Sequence, residues 1–497
     1  MARARKLIGQ TLWASLGQFF QLVFGLVGLV ILVRILGPET YGVFALGLLF
    51  ANFMEVFVGS HAADGIVQKE DLGEGQKTAI HLAIVAAGLA TALCLLVVGG
   101  LAAGVFETPR LASILPAMAV LPVLTAATSV PNQLLVRALR FSALAKNAAA
   151  ARVIALCVGI VLALNGYGIW SLFWMEVSRR TTLLVLSHVA AGWLPGRRFS
   201  RQGFAELARF GIRRIENSGL RYLSVEALPR GFIGYFLGTE ALGYFAVARR
   251  FLGQLNGLLT GPVSAVSFPA ASRLRSDPEA LEKLITSVIR ISTWTFWPAL
   301  LGAVIIAPLL FPIMLGAGWE PTAVVMQILA LAALRAPVTG FSTSILTAFG
   351  ALGDISRMHI MAIAIGVTAC LIGLPFGLFG IAAALALRQW LQWPISAFYV
   401  HRQTGFPPLR QLSVLFHAAV PALAMAALLI ALQAWFNRIL PAATQLVILI
   451  PAGVIIYLLA WYLWNAAARR SALATVAGLL QGDREAAARS FKAVLAA

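Results

Sequence analysis

The sequence predicts an all-α integral membrane protein with about fourteen transmembrane helices, and its composition is the first observation behind this prediction. Of its 497 residues, 60% are hydrophobic and only 11% are charged. Soluble domains contain about 25% charged residues, so a fold in water has too little interior for this much apolar side chain. The second observation is that apolar runs of about 20 residues, the length that crosses a bilayer, recur along the chain.

The apolar runs fix the order of the predicted spans. Fourteen runs are long enough: 8–33, 41–64, 78–105, 110–135, 146–164, 168–191, 208–236, 243–268, 285–314, 323–348, 357–374, 378–400, 411–433 and 442–464. The seventh run differs from the others because it carries many charged residues.

The distribution of Lys and Arg is the third observation, and it predicts the orientation of the spans. With the N-terminus in the cytoplasm, the only basic residues in the loops assigned to the outside are Arg34, Arg110 and Arg438, and the other loop Lys and Arg residues fall inside. The outside loops also carry four glutamates, Glu39, Glu107, Glu240 and Glu320. Cytoplasmic loops of membrane proteins are rich in basic residues. The net charge of +19 (38 basic and 19 acidic residues) is therefore interpreted as loop charge and not as a nucleic-acid surface. Both termini are predicted to be cytoplasmic.

A short polar hairpin occurs twice in the chain. VRILGPETYGVFALG at Val33–Gly47 and GYFLGTEALGYFAVA at Gly234–Ala248 share two glycines and a glutamate between them at an offset of 201 residues. The segments Phe141–Trp170 and Gly353–Ala382 also correspond, at an offset of 212 residues. These repeats indicate a duplicated chain, and duplicated membrane proteins are typically transporters with a cavity between the repeats. Both hairpins are predicted to lie outside, where their glycines serve the turns.

The duplication predicts the domain organisation. The expected parts are an N-terminal lobe at 1–200 with spans 1–6, a C-terminal lobe at 201–400 with spans 7–12, spans 13 and 14 at 401–464, and a cytoplasmic tail at 465–497. Since six spans is an even number, the lobes are expected to be parallel repeats related by a pseudo-two-fold axis along the membrane normal.

Charged residues inside spans predict the site, because each costs about 2.5–3.5 kcal/mol unless it faces a cavity or a partner. Spans 1, 2, 7 and 8 carry polar or small residues along one helix face. The candidate substrate-binding residues are Arg249, Arg250, Arg221, Arg214, Glu55, Asn52, Gln18, Gln21 and Gln254. Their charge is mainly positive, and the planar fork of arginine suits phosphate oxygens, so the predicted ligand is a diphosphate. Glu55 and Asp64 are the candidates for ion coupling.

Several of these residues have a structural interpretation as well. Glu226 and Arg230, four residues apart on a helix, predict a structural ion pair. Arg214 can extend to the inner interface, and the stripe of span 1 can serve helix packing. Scattered histidines, three cysteines without paired spacing and the lack of a phosphate-binding glycine loop predict no metal site, no cofactor and no ATPase.

Three separated blocks carry a resemblance to a known family. They are RILGPETYG at Arg34–Gly42 together with the apolar run around it, NGYGIWSL in the region of spans 4–6, and FLGTEALGYFAVARRF at Phe236–Phe251. In these blocks the chain strongly resembles bacterial polysaccharide or O-antigen flippases. These form the polysaccharide transporter branch of the multidrug/oligosaccharidyl-lipid/polysaccharide exporter (MOP) superfamily. The charged run from Arg213 to Glu216 departs from the family pattern.

The resemblance implies fourteen helices in two lobes around a lumen. It also implies a function: moving an undecaprenyl-diphosphate-linked oligosaccharide from the cytoplasmic to the periplasmic leaflet of the bacterial inner membrane. The leading hypothesis is such a flippase working by alternating access, with membrane lipid, a polysaccharide polymerase and export proteins as further partners. The alternatives are a multidrug/cation antiporter and a peptidoglycan lipid-precursor flippase of the same superfamily. An integral-membrane polymerase is least favoured because the outside loops are short, and no enzymatic activity is predicted.

Overall fold

The computed structural model describes residues 2–58, 63, 66, 73–196 and 215–465, without the side chains of residues 2–19, 22, 258–269 and 352. Within these ranges the regular structure is helical and contains no strand. The helices are α1 (Ala2–Phe57), α2 (Glu74–Val105), α3 (Pro109–Ala117), α4 (Val120–Arg137), α5 (Phe141–Leu164), α6 (Ile169–Ala191), α7 (Leu228–Phe236), α8 (Gly238–Arg273), α9 (Pro278–Leu315), α10 (Glu320–Ala333), α11 (Ala336–Thr339), α12 (Ser342–Ala348), α13 (Leu352–Gly373), α14 (Gly377–Thr404), α15 (Pro408–Phe436) and α16 (Ala442–Trp464). A π-helical turn, Leu223–Ala227, precedes α7.

Many of these helices are long and apolar enough to cross a membrane. In the described ranges, eight helical stretches meet that description, and a ninth is the bent pair of α10 with the α11–α12 segment, Glu320–Ala333 and Ala336–Ala348, which meet at 44°. The prediction of an all-α, multi-pass membrane protein is therefore confirmed. One of the eight stretches, Gly353–Thr404, contains the two predicted spans 357–374 and 378–400, and another, Val23–Phe57, overlaps parts of the predicted spans 8–33 and 41–64. Predicted spans 6, 7 and 8 carry charged residues and are not among the stretches that are apolar enough to meet this description.

The chain divides into two compact units. One comprises residues 1–254, 314–329 and 352–389, and the other comprises 255–313, 330–351 and 390–497. In the second unit, α9, α15 and α16 share a core that includes Ile305, Met425, Leu429 and Leu449. The lobes at 1–200 and 201–400 stay a prediction, and the tail from residue 466 onward lies outside the described residues.

Each copy of the repeated hairpin turns at a glycine in the left-handed region. Gly37 has φ of 76° and ψ of 170°, which breaks α1 into two helical arms. Gly238, its equivalent in the second copy, has φ of 84° and begins α8. Because a side chain is strained at positive φ, glycine at these two positions fixes where each hairpin reverses direction.

The other glycine of each hairpin serves a different purpose, which is contact between the two copies. A Cβ atom added to Gly42 would lie 1.7 Å from the carbonyl oxygen of Thr239, and one added to Gly243 would lie 2.1 Å from that of Pro38. Pro38 and Thr239 are themselves equivalent positions of the repeat, so the contact is reciprocal, as in a two-fold interface. The sequence predicted that the hairpin glycines serve the turns, and the structure adds that this pair permits backbone contact between the two copies.

Replacing Gly243 with alanine is expected to destabilise the protein. The added methyl group must displace the backbone at Pro38, and overpacking of this kind costs about 1–3 kcal/mol. The matched control is Gly253→Ala on the same helix, where a Cβ atom meets no neighbouring atom within 4 Å. Thermal unfolding of the purified proteins in detergent should give a lower Tm for Gly243→Ala than for Gly253→Ala. Equal Tm values would contradict the close contact.

Candidate functional site

A cleft bordered by α1, α5, α6 and α8 is lined by two arginines and, among the residues that the structure describes, by no carboxylate. The space between its lining atoms, including space open to solvent, is about 340 Å³. Its polar lining consists of Tyr41, Arg152 and Arg250, while Gly25, Gly28 and apolar side chains such as Leu29, Leu32, Leu172 and Met175 form the rest. Such apolar walls strengthen electrostatic attraction to a bound anion, because the local dielectric constant is lower than that of water.

Arg250, one of the predicted site residues, is positioned in this cleft by the first hairpin. Its Nη1 atom donates a hydrogen bond of 3.1 Å to Oη of Tyr41. Tyr41 is buried, with 5% of its surface exposed, and is the neighbour of Gly42 in the chain. The hairpin contact and the cleft therefore meet at this tyrosine.

Arg152 was missed by the sequence analysis. It lies on α5 with its guanidinium beside Gly25, where an added Cβ atom would come within 3.0 Å of Nη2. Its charged neighbours are Arg250, Arg179 and Glu176. The signal in the sequence is a lone arginine inside an apolar run, one helical turn before Leu156. Gly28 packs on Leu156, so the small residues of span 1 serve helix packing as well as the cleft wall.

A network of four charged side chains lies among α1, α4 and α6. Arg180 contacts the carboxylate of Glu55 and donates to Oε1 of Glu176 at 3.0 Å and to Oγ1 of Thr125 at 2.6 Å. Arg179 donates to the same Glu176 oxygen at 2.5 Å. Two carboxylates and two guanidinium groups make the network neutral. Glu55, a candidate for both substrate binding and ion coupling, is thus held by Arg180 on another helix.

A second cluster of charges surrounds Glu226. Its Oε2 atom lies 2.8 Å from Nη2 of Arg230, and its Oε1 atom accepts a 2.9 Å hydrogen bond from Nη2 of Arg249. Two guanidinium groups around one carboxylate leave an excess of one positive charge. Glu226 and Arg230 are therefore in contact, and Arg249, a predicted site residue, belongs to the same cluster.

The remaining candidates do not line the cleft in the described structure. Asn52, Gln21 and Gln254 are partly buried, and Arg221 is exposed. The side chain of Gln18 and the residues Asp64 and Arg214 lie outside what the structure describes. Among the described residues, no cluster of three or more His, Cys, Asp or Glu side chains is placed to hold a metal ion.

Comparison with known proteins identifies the family. The pattern of the polysaccharide biosynthesis protein family matches residues 31–324, which is more than half of the chain. The chain belongs to this family. The match, together with those that follow, confirms the resemblance to polysaccharide and O-antigen flippases of the MOP superfamily.

Two relatives illustrate this membership of the polysaccharide biosynthesis family. The succinoglycan biosynthesis transport protein ExoT of Rhizobium meliloti (strain 1021) is 26% identical over 305 residues, which are 61% of each chain. The match thus covers less than two thirds of that relative. The lipopolysaccharide biosynthesis protein WzxC of Escherichia coli (strain K12) is 21% identical over 405 residues, which are 80% of this chain and 81% of WzxC.

Solved structures place this family member in a transporter fold. The lipid II flippase MurJ in an inward closed conformation matches with a TM-score of 0.73 at 15% identity, covering 91% of this chain and 98% of MurJ. A MOP superfamily transporter from Pyrococcus furiosus matches with a TM-score of 0.55 at 15% identity, covering 80% of this chain and 95% of that one. At these identities the likeness shows the fold alone.

Replacing Arg180 with glutamine is expected to destabilise the protein strongly. Glu55 would then lose the guanidinium that it contacts, while Glu176 would keep its direct pair with Arg179. Removing one partner of a buried ion pair costs about 3–5 kcal/mol. The control is Lys283→Gln, since Lys283 and Glu279 form a pair whose side chains are 74% and 79% exposed. Such exposed pairs contribute about 0–1 kcal/mol.

Unfolding midpoints of the purified Arg180→Gln and Lys283→Gln proteins test this expectation. The double variant Arg180→Gln with Glu55→Gln should recover part of the lost stability, because it also removes the uncompensated carboxylate. An Arg180→Gln protein as stable as Lys283→Gln would show that the network contributes little.

Proposed function

We propose that this protein is a flippase for an undecaprenyl-diphosphate-linked oligosaccharide, the repeat unit of an O-antigen, exopolysaccharide or capsule. In this proposal it moves the lipid from the cytoplasmic to the periplasmic leaflet of the bacterial inner membrane by alternating access. The observation that carries the proposal is the cleft lined by Arg152 and Arg250 without a carboxylate. A transporter of the polysaccharide family with a cationic cleft is suited to a lipid that carries a diphosphate.

The chemistry of the cleft supports this ligand. Guanidinium groups stay protonated when they leave water and bind two phosphate oxygens at once, which a compact ammonium group does not do. The free space between the lining atoms is small in this structure, so the two arginines would meet the diphosphate group and the glycan would lie outside the cleft. The polyprenyl tail would stay in lipid, and the sugars would occupy the remaining lumen with Arg221, Arg214, Arg249, Asn52, Gln18, Gln21 and Gln254 as proposed contacts.

The proposed architecture has fourteen spans, cytoplasmic termini and two lobes at 1–200 and 201–400 that alternate around the cleft. The reciprocal contact of Gly42 and Gly243 supports a pseudo-two-fold axis between these lobes. In this arrangement the hairpins are the periplasmic tips, which separate to release cargo. Glu55 and Asp64 remain proposed coupling residues, and a polymerase and export proteins would act on the delivered lipid.

A second candidate is a flippase for a peptidoglycan lipid precursor, which the cationic cleft also suits. A multidrug/cation antiporter is less well supported, because a cleft with two arginines repels cationic cargo. Depletion of the protein distinguishes the two flippases. Loss of a surface polysaccharide with intact cells supports the leading proposal, whereas cell lysis supports the second.

Arg152→Gln and Arg250→Gln are each expected to weaken binding of the diphosphate-linked oligosaccharide by about 10- to 100-fold. Each removes hydrogen bonds to a charged group, which are worth about 1.5–3 kcal/mol. Binding would be measured with the purified protein in nanodiscs, and polysaccharide export by complementing a deletion strain. Arg357→Gln is the control, because it removes an arginine that is 66% exposed and far along the chain from the cleft residues.

Export at the wild-type level in both single variants and in the double variant, at normal protein levels, would refute a role for the cleft arginines. Weaker binding in the Arg357→Gln control would show that general surface charge, and not the cleft, attracts the lipid.

Cysteine labelling in intact cells tests the proposed topology. In a protein whose Cys94, Cys157 and Cys370 have been replaced, a cysteine at Glu39 or Glu240 should react with an impermeant maleimide. A cysteine at Arg402 should react only after the cells are permeabilised. The reverse pattern would invert the assignment of inside and outside.

A further inference from the structure

Tyr41 lies next to the hairpin contact and also lines the basic cleft. Gly42, the next residue, touches the backbone of the second hairpin at Thr239. The hydroxyl of Tyr41 accepts a 3.1 Å hydrogen bond from Arg250, and both side chains line the cleft. One hydrogen bond therefore joins the first hairpin to the helix that continues from the second hairpin.

This hydrogen bond breaks the symmetry of the hairpin contact. The offset of 201 residues that pairs Gly42 with Gly243 pairs Tyr41 with Leu242 and Arg250 with Leu49. Leu49 and Leu242 are both buried, with 5% and 0% of their surfaces exposed. Each hairpin thus makes the same backbone contact with the other. The Tyr41–Arg250 pair, in contrast, has no equivalent in the other copy and lies on the side that borders the cleft.

The partner of Arg250 in this structure is a neutral phenol. A phosphate oxygen carries negative charge, and a guanidinium group can bind two phosphate oxygens side by side, whereas the phenol offers it one uncharged acceptor. A phosphate that binds the two Nη atoms of Arg250 side by side takes Nη1, and it therefore competes with Tyr41 for that donor. Gly42 and Gly243 have no side chains that could form a polar interaction at the contact. Loss of the Tyr41–Arg250 hydrogen bond therefore removes a side-chain interaction between the two hairpins.

We propose that the Tyr41–Arg250 hydrogen bond is a latch that holds the two hairpins together while the cleft is empty and is released when a diphosphate binds Arg250. Tyr41 is then a positioning residue that couples occupancy of the cleft to separation of the hairpins. This inference rests on the proposed function, since it takes the diphosphate as the cargo. By linkage, a bond that the ligand must break also lowers the affinity for that ligand.

Spin labels on the two hairpins test the latch. Ile35 and Phe236 are equivalent positions, 41% and 48% exposed, and cysteines there would carry the labels in a protein without native cysteines. Electron–electron distance measurements on the full-length protein in nanodiscs give the ratio of separated to joined hairpins, with and without inorganic pyrophosphate as the probe. Pyrophosphate is expected to raise this ratio in the otherwise unsubstituted protein.

The test variant is Tyr41→Phe, which keeps the ring and removes only the hydroxyl group. It should raise the ratio without pyrophosphate by about tenfold, the equivalent of one hydrogen bond. It should also bind pyrophosphate more tightly by a similar factor and respond less to it. The matched control is Tyr244→Phe in the second hairpin, whose hydroxyl donates to Glu240 on the same helix at 2.6 Å. The control should leave both quantities unchanged.

Arg250→Gln removes the same hydrogen bond from the other side and serves if Tyr41→Phe does not fold. It should raise the empty-state ratio but weaken pyrophosphate binding, the opposite of the affinity change in Tyr41→Phe. A merely structural role for Tyr41 would not produce this divergence. Unchanged ratio and unchanged affinity in Tyr41→Phe would overturn the latch, and a changed ratio with unchanged affinity would overturn the coupling.

An error in the proposed function would give a different experimental result from an error in the latch proposal. If the otherwise unsubstituted protein does not bind pyrophosphate or undecaprenyl diphosphate, the diphosphate cargo is wrong and the coupling falls with it. The empty-state comparison of Tyr41→Phe with Tyr244→Phe then still decides whether the hydrogen bond holds the hairpins together.

Discussion

The approach of the two hairpins to backbone contact requires that neither Gly42 nor Gly243 carry a side chain. This contact brings Tyr41 to Arg250, and Arg250 forms one end of the basic cleft. The left-handed turns at Gly37 and Gly238 set the direction in which each hairpin meets the other. The position of the candidate site therefore depends on four backbone positions at which a Cβ atom would be strained or would clash.

Charged side chains in the apolar part of the protein occur in three different arrangements. Glu55, Glu176, Arg179 and Arg180 neutralise one another, so their cost is offset within the protein. Glu226 is shared by Arg230 and Arg249, which leaves one charge in excess. The described lining of the cleft has two arginines and no carboxylate, and the negative charge nearest to both arginines is that of Glu176 in the neighbouring network. The same side-chain type thus forms ion pairs in two places and lines a cleft in the third.

Composition and periodicity were sufficient to predict the helical membrane fold, because the bilayer allows few alternatives to long apolar helices. The duplicated hairpin and the position of Arg250 in a cavity also followed from sequence patterns. Arg152 did not, since a single arginine in an apolar helix has no periodic partner that marks its face. The pairing of Glu55 with Arg180 was equally hidden, because two residues 125 positions apart meet only through helix packing. The contact of Gly42 with the second hairpin was hidden for the same reason, because it also forms only when distant parts of the chain pack together.

The reciprocal hairpin contact also has a consequence for how the two halves of the gene can change. Each glycine faces a carbonyl group of the other repeat, so a side chain that arises in one half cannot be accommodated by a change in that half alone. A substitution at either glycine therefore requires a matching change in the other repeat, whereas the neighbouring equivalent positions hold a tyrosine–arginine pair on one side and two leucines on the other. Joining both halves in a single polypeptide keeps the matched surfaces inherited together.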